Sequence, residues 1–325
     1  MEDSKIKIVF VGTPEFGAII LEKLITSEYK PILVITSSDK PVGRKQILTA
    51  SPVKTIAQKY NIPVEQPERI EDWELKIETS KPDLGIIAAY GQILPKDILD
   101  IPKFGFLNVH PSLLPKYRGP SPIQAVILNS DKRTAVTIIL MDEKIDHGPI
   151  IAQRTLEIEE GETAETLHNK LAELGARLLL ETIPKWVKKM IKPLEQNDSE
   201  ATFTKILTRE SGKINWEKPA ELLEREVRAY LPWPGSYTFW EKIEKSIKIE
   251  ILKARIFKSP SGIGYPIGKT IVVPQNEIAV QCGKGFLKGA GDYLIIERLK
   301  MEGKKEMNSE DFIRGFSDFI GTILQ

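Results

Sequence analysis

The sequence predicts an α/β protein in which a mostly parallel sheet domain, residues 1–190, is followed by a small β-barrel domain, residues 209–325. Three observations carry this. Near-continuous apolar runs at 6–11, 31–36 and 84–89 alternate with helical patterns, as strands covered on both faces of a parallel sheet do. A long amphipathic pattern from Thr163 to Met190 fades into a polar segment, 191–208, that reads as an interdomain linker. Beyond Gly235 come about five short strand-like runs punctuated by Gly and Pro, the pattern of a closed or partly open barrel.

The elements follow in chain order. The run Ile6–Val11 ends at Gly12, and Phe16–Ile25 carries a helical pattern, giving a β-loop-α start. The loop between them lacks the G-x-G-x-x-G spacing, and Gly17 precedes Ala18 rather than Lys-Ser/Thr, so neither a dinucleotide nor a nucleoside triphosphate site is supported. After the second strand, Thr36–Pro52 is a long loop with Lys40, Arg44 and Lys45 against one acid, Asp39. Loops of that length at the edge of an α/β sheet are usually functional or mobile. A helix is expected from Val53 to Tyr60, and Thr134–Leu140 reads as a buried parallel strand. In the 163–190 helix Leu167, Leu171, Leu174 and Leu178 stack on one side, so His168 there is a packing or surface residue rather than a ligand. The second domain opens with a helix near Pro219–Tyr230, ended by Pro232-Trp-Pro-Gly235. Its basic run, Lys242, Lys245, Lys248, Lys253, Arg255 and Lys258, interleaves with Tyr237, Phe239 and Trp240; a solvated lysine face is the commoner meaning, and a nucleic-acid strand also suits it.

Composition narrows the classes. With 325 residues, 41% hydrophobic and 28% charged, the chain can build two cores, and a net charge of +1 leaves any polyanion contact to local patches. One cysteine, Cys282, excludes an intrachain disulfide, and three scattered histidines do not resemble a zinc site. The acidic opening Met1-Glu-Asp-Ser-Lys5 is unlike a signal peptide, and no apolar run approaches a membrane span, so a reducing cytoplasm is expected.

The chemistry is concentrated in Asn108-Val-His110-Pro-Ser-Leu-Leu-Pro115. On a strand, Asn108 and His110 project from one face, and an amide beside an imidazole can stabilise an oxyanion and move a proton. An isolated N-x-H is more often a turn cap beside a satisfied histidine. Downstream, Asp146 stands in the polar run Met141–Pro149, a place for a solvated turn aspartate or for a partner of His110 at a sheet edge.

The set Phe104–Gln124, including Arg118-Gly119, followed by Met141–Gly148, resembles the folate-dependent formyltransferases, and within them the branch acting on methionyl-tRNA. The likeness extends in order through Lys7–Phe16, Ser51-Pro-Val-Lys54, Ala229–Pro234 and Gly289-Ala-Gly-Asp292. Two departures lie in the Asp146 loop: Lys144 where glycine is usual, and His147 where threonine is common. The resemblance implies a Rossmann-like first domain, an OB-like barrel that binds tRNA, and transfer of formyl from 10-formyltetrahydrofolate to the α-amino group of methionyl initiator tRNA. Asn108 and His110 would stabilise the formyl oxygen and Asp146 would orient His110 and help carry the amine proton. The folate would be lined by Ser112, Leu113, Leu114, Pro115, Tyr90, Gly91, Leu94, Met141, Asp142 and Glu143. Arg44, with Lys40 and Lys45, would meet the tRNA. No metal is implied, and a monomer is expected. A sugar-nucleotide N-formyltransferase or a 10-formyltetrahydrofolate hydrolase would share the Asn-His-Asp set, against which the Arg44 loop and the barrel argue; a non-enzymatic tRNA-binding protein would need no such set.

Overall fold

The computed structural model describes residues 6–43, 45–68, 71–243, 245–258, 264–283 and 292–325. Arg44, Gly289-Ala-Gly291 and the Lys258 side chain therefore lie outside the described residues. The chain divides into two compact units. The first runs to Pro122 and includes Lys132–Ile158 and Leu167–Lys205; the second takes in Ile123–Asp131, Glu159–Thr166 and Ile206–Gln325.

The first unit is built on a seven-stranded sheet. Its strands are β1 (Ile8–Gly12), β2 (Leu33–Ile35), β5 (Val64–Glu65), β6 (Leu84–Ala88), β7 (Phe106–His110), β8 (Arg133–Leu140) and β9 (Ile150–Glu157), in the order β5-β2-β1-β6-β7-β8-β9. From β5 to β7 every pairing is parallel. Connecting helices are α1 (Glu15–Ile25), α2 (Pro52–Lys59), α3 (Glu71–Ser80) and α4 (Lys96–Leu99). Val9 and Val11 of β1 share an apolar cluster with Trp73 and Ile77 of α3 and Ile98 and Leu99 of α4. The alternate residues Ile8 and Phe10 are buried as well, as both faces of a covered parallel sheet require. At the end of β1 an added Cβ on Gly12 would sit 2.6 Å from the Ala88 carbonyl oxygen, so glycine here permits the close approach of β1 to the end of β6.

Two expectations are corrected here. The strand at 134–140 is not parallel: β8 runs antiparallel to β7, with Leu107 opposite Leu140 and His110 opposite Thr137, and β9 returns antiparallel to β8. An apolar run buried on both faces reads the same in either direction, and the connection from β7 to β8 is long enough for a parallel crossover, so nothing in the residues fixed the sense. The 36–52 loop, in turn, contains the hairpin β3 (Lys40–Val42) and β4 (Ile47–Thr49).

The long helix is α6 (Ala164–Val187), and its Leu167, Leu171, Leu174 and Leu178 are buried as the spacing predicts. Gly175 faces Val109 of β7, which seats the helix against the strand carrying Asn108 and His110. His168 packs edge-on to Phe16 at 5.5 Å.

In the second unit α5 (Pro122–Leu128) ends at Leu128, whose carbonyl accepts a hydrogen bond from Arg225 on α7 (Ala220–Ala229). The sheet comprises β10 (Ser236–Lys242), β11 (Lys245–Lys258), β12 (Thr270–Val273), β13 (Glu277–Gln281) and β14 (Asp292–Met301) in the order β10-β11-β14-β13-β12. The short β15 (Glu306–Asn308) adds to β14 and leads into α8 (Ser309–Gly315), which the sequence reading did not anticipate. Residues 321–325 then span the two sheet edges. The Gly321 and Leu324 amides bond Thr270 and Gly268 beside β12, while Phe239 of β10 exchanges both backbone bonds with Gln325. The core beneath centres on Trp240, Phe312 and Phe319, with Phe319 5.2 Å from Trp240 and 5.0 Å from Phe312. The basic run on β10 and β11 is threaded with acids: Lys242 pairs Asp318, Lys253 pairs Glu297 and Arg255 pairs both Glu277 and Glu297.

Truncating Phe319 leaves a cavity under both closing contacts. Phe319→Ala is expected to cost about 3–5 kcal/mol in the second unit, read as a lowered urea midpoint for that unit's transition; an unchanged unfolding curve would show that the aromatic cluster does not support the barrel.

Candidate active site

β7 places Asn108 and His110 on one face by its period of two, and both are more than nine-tenths buried. Asp146 meets them from the loop between the antiparallel strands β8 and β9. Its Oδ1 accepts a hydrogen bond from Asn108 Nδ2 at 3.2 Å and lies 3.4 Å from His110 Nδ1. Its Oδ2 accepts the Gly119 backbone N–H at 2.8 Å. The other ring nitrogen of His110, Nε2, is 3.0 Å from the Tyr117 carbonyl oxygen. Both imidazole nitrogens thus face oxygen atoms, one a carboxylate and one a backbone carbonyl. The three residues proposed from the sequence are brought together.

The loop is held tightly. Asp146 has φ +46°, in the left-handed region, which is uncommon for residues with a Cβ and most open to Asn and Asp. At Gly148 an added Cβ would lie 1.8 Å from the Leu140 carbonyl oxygen, so the Asp-His-Gly order needs glycine at its third position. A neighbouring segment adds contacts that the sequence reading missed. Gln196 Nε2 donates to the carbonyls of Asp146 (2.9 Å) and Gly148 (2.8 Å), and its Oε1 accepts from Arg118 Nε (3.1 Å) and Nη2 (2.9 Å). Arg118 Nη2 also reaches Asp198 at 2.8 Å, and this guanidinium holds the Asp198 carboxyl below the usual range. His147 bridges two acids, with Nδ1 2.5 Å from Asp142 and Nε2 3.3 Å from Asp198. The segment 191–208, expected as a linker, is therefore bonded to the first unit at several points; Leu194 pairs Ile150, and Thr202 and Thr204 pair with Arg118. The alternation Ala201-Thr-Phe-Thr204 is the signal in the sequence that fits this extended pairing.

The candidate lining residues separate into two groups. In the loop after β7, Ser112 and Leu114 are buried: Ser112 Oγ donates to the Lys116 carbonyl, while Thr137 and Gln153 tie down the Ser112 and Leu114 carbonyls. Leu113 and Pro115 are half-buried, and the Leu114–Pro115 peptide is cis. The second group adjoins one apolar cluster, which holds Tyr90 and Leu94 with Met141 packed against it. Gly91, with φ +82°, and Glu143 are exposed, and Asp142 is half-buried. The Tyr90 hydroxyl is buried without a hydrogen-bond partner, and burial pushes this phenol up to about 12.

Farther along, the root of the 36–52 loop is pinned by polar groups. Ser51 caps α2 through the Lys54 N–H and bonds Thr36, while Lys54 Nζ contacts both Asp39 carboxylate oxygens (2.8 and 2.7 Å) and Gln66 (2.7 Å). The hydrogen bond from Lys54 holds the Asp39 carboxyl below the usual range. Lys40 and Lys45 are exposed on the hairpin that this network carries.

Among the described residues, no group of three or more His, Cys, Asp or Glu side chains is disposed to hold a metal ion, and no helix is long and apolar enough to cross a membrane. Cys282 is buried in the second unit, where burial pushes its thiol up to about 12, far from a nucleophile's range.

Comparison with known proteins identifies the family. The formyl transferase family model matches residues 5–183, and the model of the formyl transferase C-terminal domain matches 206–317. Methionyl-tRNA formyltransferase of Bacillus velezensis is 42% identical over 323 residues, covering 98% of this chain and 97% of that protein. The same enzyme of Halalkalibacterium halodurans is 42% identical over 325 residues, with 98% of each chain covered. Among solved structures, an N-formyltransferase from Helicobacter canadensis in complex with folinic acid and dTDP-3-aminofucose superposes with a TM-score of 0.62 at 21% identity, covering 90% of this chain and 98% of that one. HypX from Aquifex aeolicus gives 0.62 at 18% identity, covering 97% of this chain and 49% of that one. At those identities the two structures speak for the fold alone. With both family models matched in order and methionyl-tRNA formyltransferases alike over nearly their whole length, the chain belongs to the formyltransferase family, in its methionyl-tRNA branch.

Proposed function

We infer that the protein transfers the formyl group of 10-formyltetrahydrofolate to the α-amino group of methionyl initiator tRNA, giving N-formylmethionyl-tRNA. The observation that carries this reading is the meeting of Asn108, His110 and Asp146 around one carboxylate in a chain collinear with methionyl-tRNA formyltransferases. The uncharged amine attacks the formyl carbon, and negative charge develops on the formyl oxygen as the new C–N bond forms; collapse of that charge restores the carbonyl and breaks the bond to folate N10. Asn108 Nδ2 has a second hydrogen beyond the one given to Asp146, which is free to donate to that oxygen. One such donor is commonly worth about 3 kcal/mol. His110 adds a second polarising group, and Asp146 orients it while relaying the amine proton, directly or through water, to N10.

For the folate, the half-buried Leu113 and Pro115 and the cluster of Tyr90, Leu94 and Met141 supply apolar walls, with Gly91, Asp142 and Glu143 beside them. The orphaned Tyr90 hydroxyl supports a ligand here, since a polar group on the heterocycle would satisfy it. Ser112 and Leu114 are committed to the loop's own bonds and serve by shaping it. The hairpin bearing Lys40 and Lys45, with Arg44 at its turn in sequence, is the part assigned to the tRNA acceptor end, where phosphate contacts would make binding salt-sensitive.

The test is single-turnover transfer of labelled formyl from 10-formyltetrahydrofolate, offered in parallel to methionyl initiator tRNA, amino-sugar nucleotides and water. Label on the tRNA supports the reading; label on a sugar, or released as formate, overturns the choice of acceptor and leaves the chemistry. Asn108→Ala is expected to slow transfer about 10²-fold with folate affinity nearly unchanged, whereas equal loss of folate binding would remove it from the oxyanion role. Arg44→Ala is expected to raise the KM for tRNA and reduce its salt dependence while transfer at saturating tRNA stays near the parent rate; an unchanged KM would detach the hairpin from tRNA recognition.

A further inference from the structure

We propose that Gln196 is the positioning residue of Asp146, acting from a segment outside both loops that carry the reacting groups. The inference rests on the role given to Asp146 above. The bonds that fix the left-handed Asp146 come from two directions. The Gly119 N–H takes the carboxylate, and Gln196 takes the backbone on either side of His147 through the carbonyls of Asp146 and Gly148. The orientation of the Gln196 amide is unambiguous, because carbonyl acceptors lie on one side and the Arg118 guanidinium on the other.

Arg118 in turn is buried and immobilised. Its backbone N–H bonds the Thr202 carbonyl, its carbonyl accepts from Thr204, and its Nη2 spans Gln196 and Asp198. The next residue along from Arg118 is Gly119, the donor to Asp146 Oδ2, so one strap of chain, 194–204, sets both the backbone and the carboxylate of the aspartate. The Asp198–His147–Asp142 bridge adds a third attachment of the same loop. All four amide positions that Gln196 offers are used in holding, and none is aimed at a reacting atom. A misplacement of about 1 Å in such a group lowers rate by on the order of 10²-fold.

The test compares Gln196→Met, an isostere without the amide, and Gln196→Glu, which keeps the acceptor for Arg118 and loses the donation, each alone and combined with Asp146→Asn. Single-turnover formyl transfer, the KM for methionyl-tRNA and the affinity for 5-formyltetrahydrofolate are measured on the full chain. Gln196→Met is expected to slow transfer on the order of 10²-fold, with the tRNA KM and folate affinity within about threefold of the parent. Combined with Asp146→Asn it is expected to add no further loss, since the two residues act as a unit. Should Gln196→Met fail to fold, Gln196→Glu retains the strap and is expected to give the same kinetic pattern. A rate within threefold of the parent overturns the proposal, as does a raised tRNA KM at unchanged rate or an undiminished effect in the Asp146→Asn background. If Asp146→Asn alone transfers formyl at the parent rate, the role of Asp146 fails and this proposal with it; an impaired Asp146→Asn beside an unimpaired Gln196→Met overturns the role of Gln196 alone.

Discussion

One carboxylate organises the first unit. Asp146 faces the side chains of β7 with one oxygen and the backbone of the following loop with the other, joining residues that lie 27 to 38 positions apart in the chain. Because Asn108 and His110 are buried, each would be left with an unpaired polar group were Asp146 to swing away, and such a group costs about 1–3 kcal/mol. The same contacts that fix the acid also hold the amide and the imidazole. The strained turn at Asp146 and the covered strand β7 are thus two sides of one constraint: the strand aims the side chains, and the loop must bend far enough to bring an acceptor to them.

Much of this was legible in the residues. The period of two at Asn108-Val-His110 gives the shared face directly, the leucines of α6 give the buried helix, and alternating apolar runs give the parallel half of the sheet. Strand direction was not legible, because β8 is buried on both faces and looks alike in either sense. The helix α3 was missed because its buried Trp73 and Ile77, four apart, stand within a polar segment. Gln196 was invisible for a different reason. A glutamine in a polar run has the composition of a linker, and only the partners supplied by Arg118 and the Asp146 loop distinguish it. The helix α8, by contrast, carried a readable cap in Asn308, which accepts from the Asp311 N–H.

The Ser51-Pro-Val-Lys54 motif gains a physical meaning from its surroundings. Serine caps the helix, proline suits its first turn, and lysine reaches across to Asp39 and Gln66 at the foot of the hairpin. The base of the hairpin is thus set by hydrogen bonds, while Lys40, Ile47 and Leu48 on its strands are exposed.

The closing of the barrel by residues 321–325 bears on how the second unit comes into being. Until that segment is in place, Phe239 of β10 and Thr270 of β12 lack the backbone partners it supplies, and unpaired edge groups of this kind are where partly folded chains pair with one another. A chain synthesised only as far as residue 320 therefore holds most of its apolar core yet retains two adhesive borders. Docking of residues 321–325 thus doubles as protection, because it occupies backbone groups on both borders through which partly folded chains would otherwise associate.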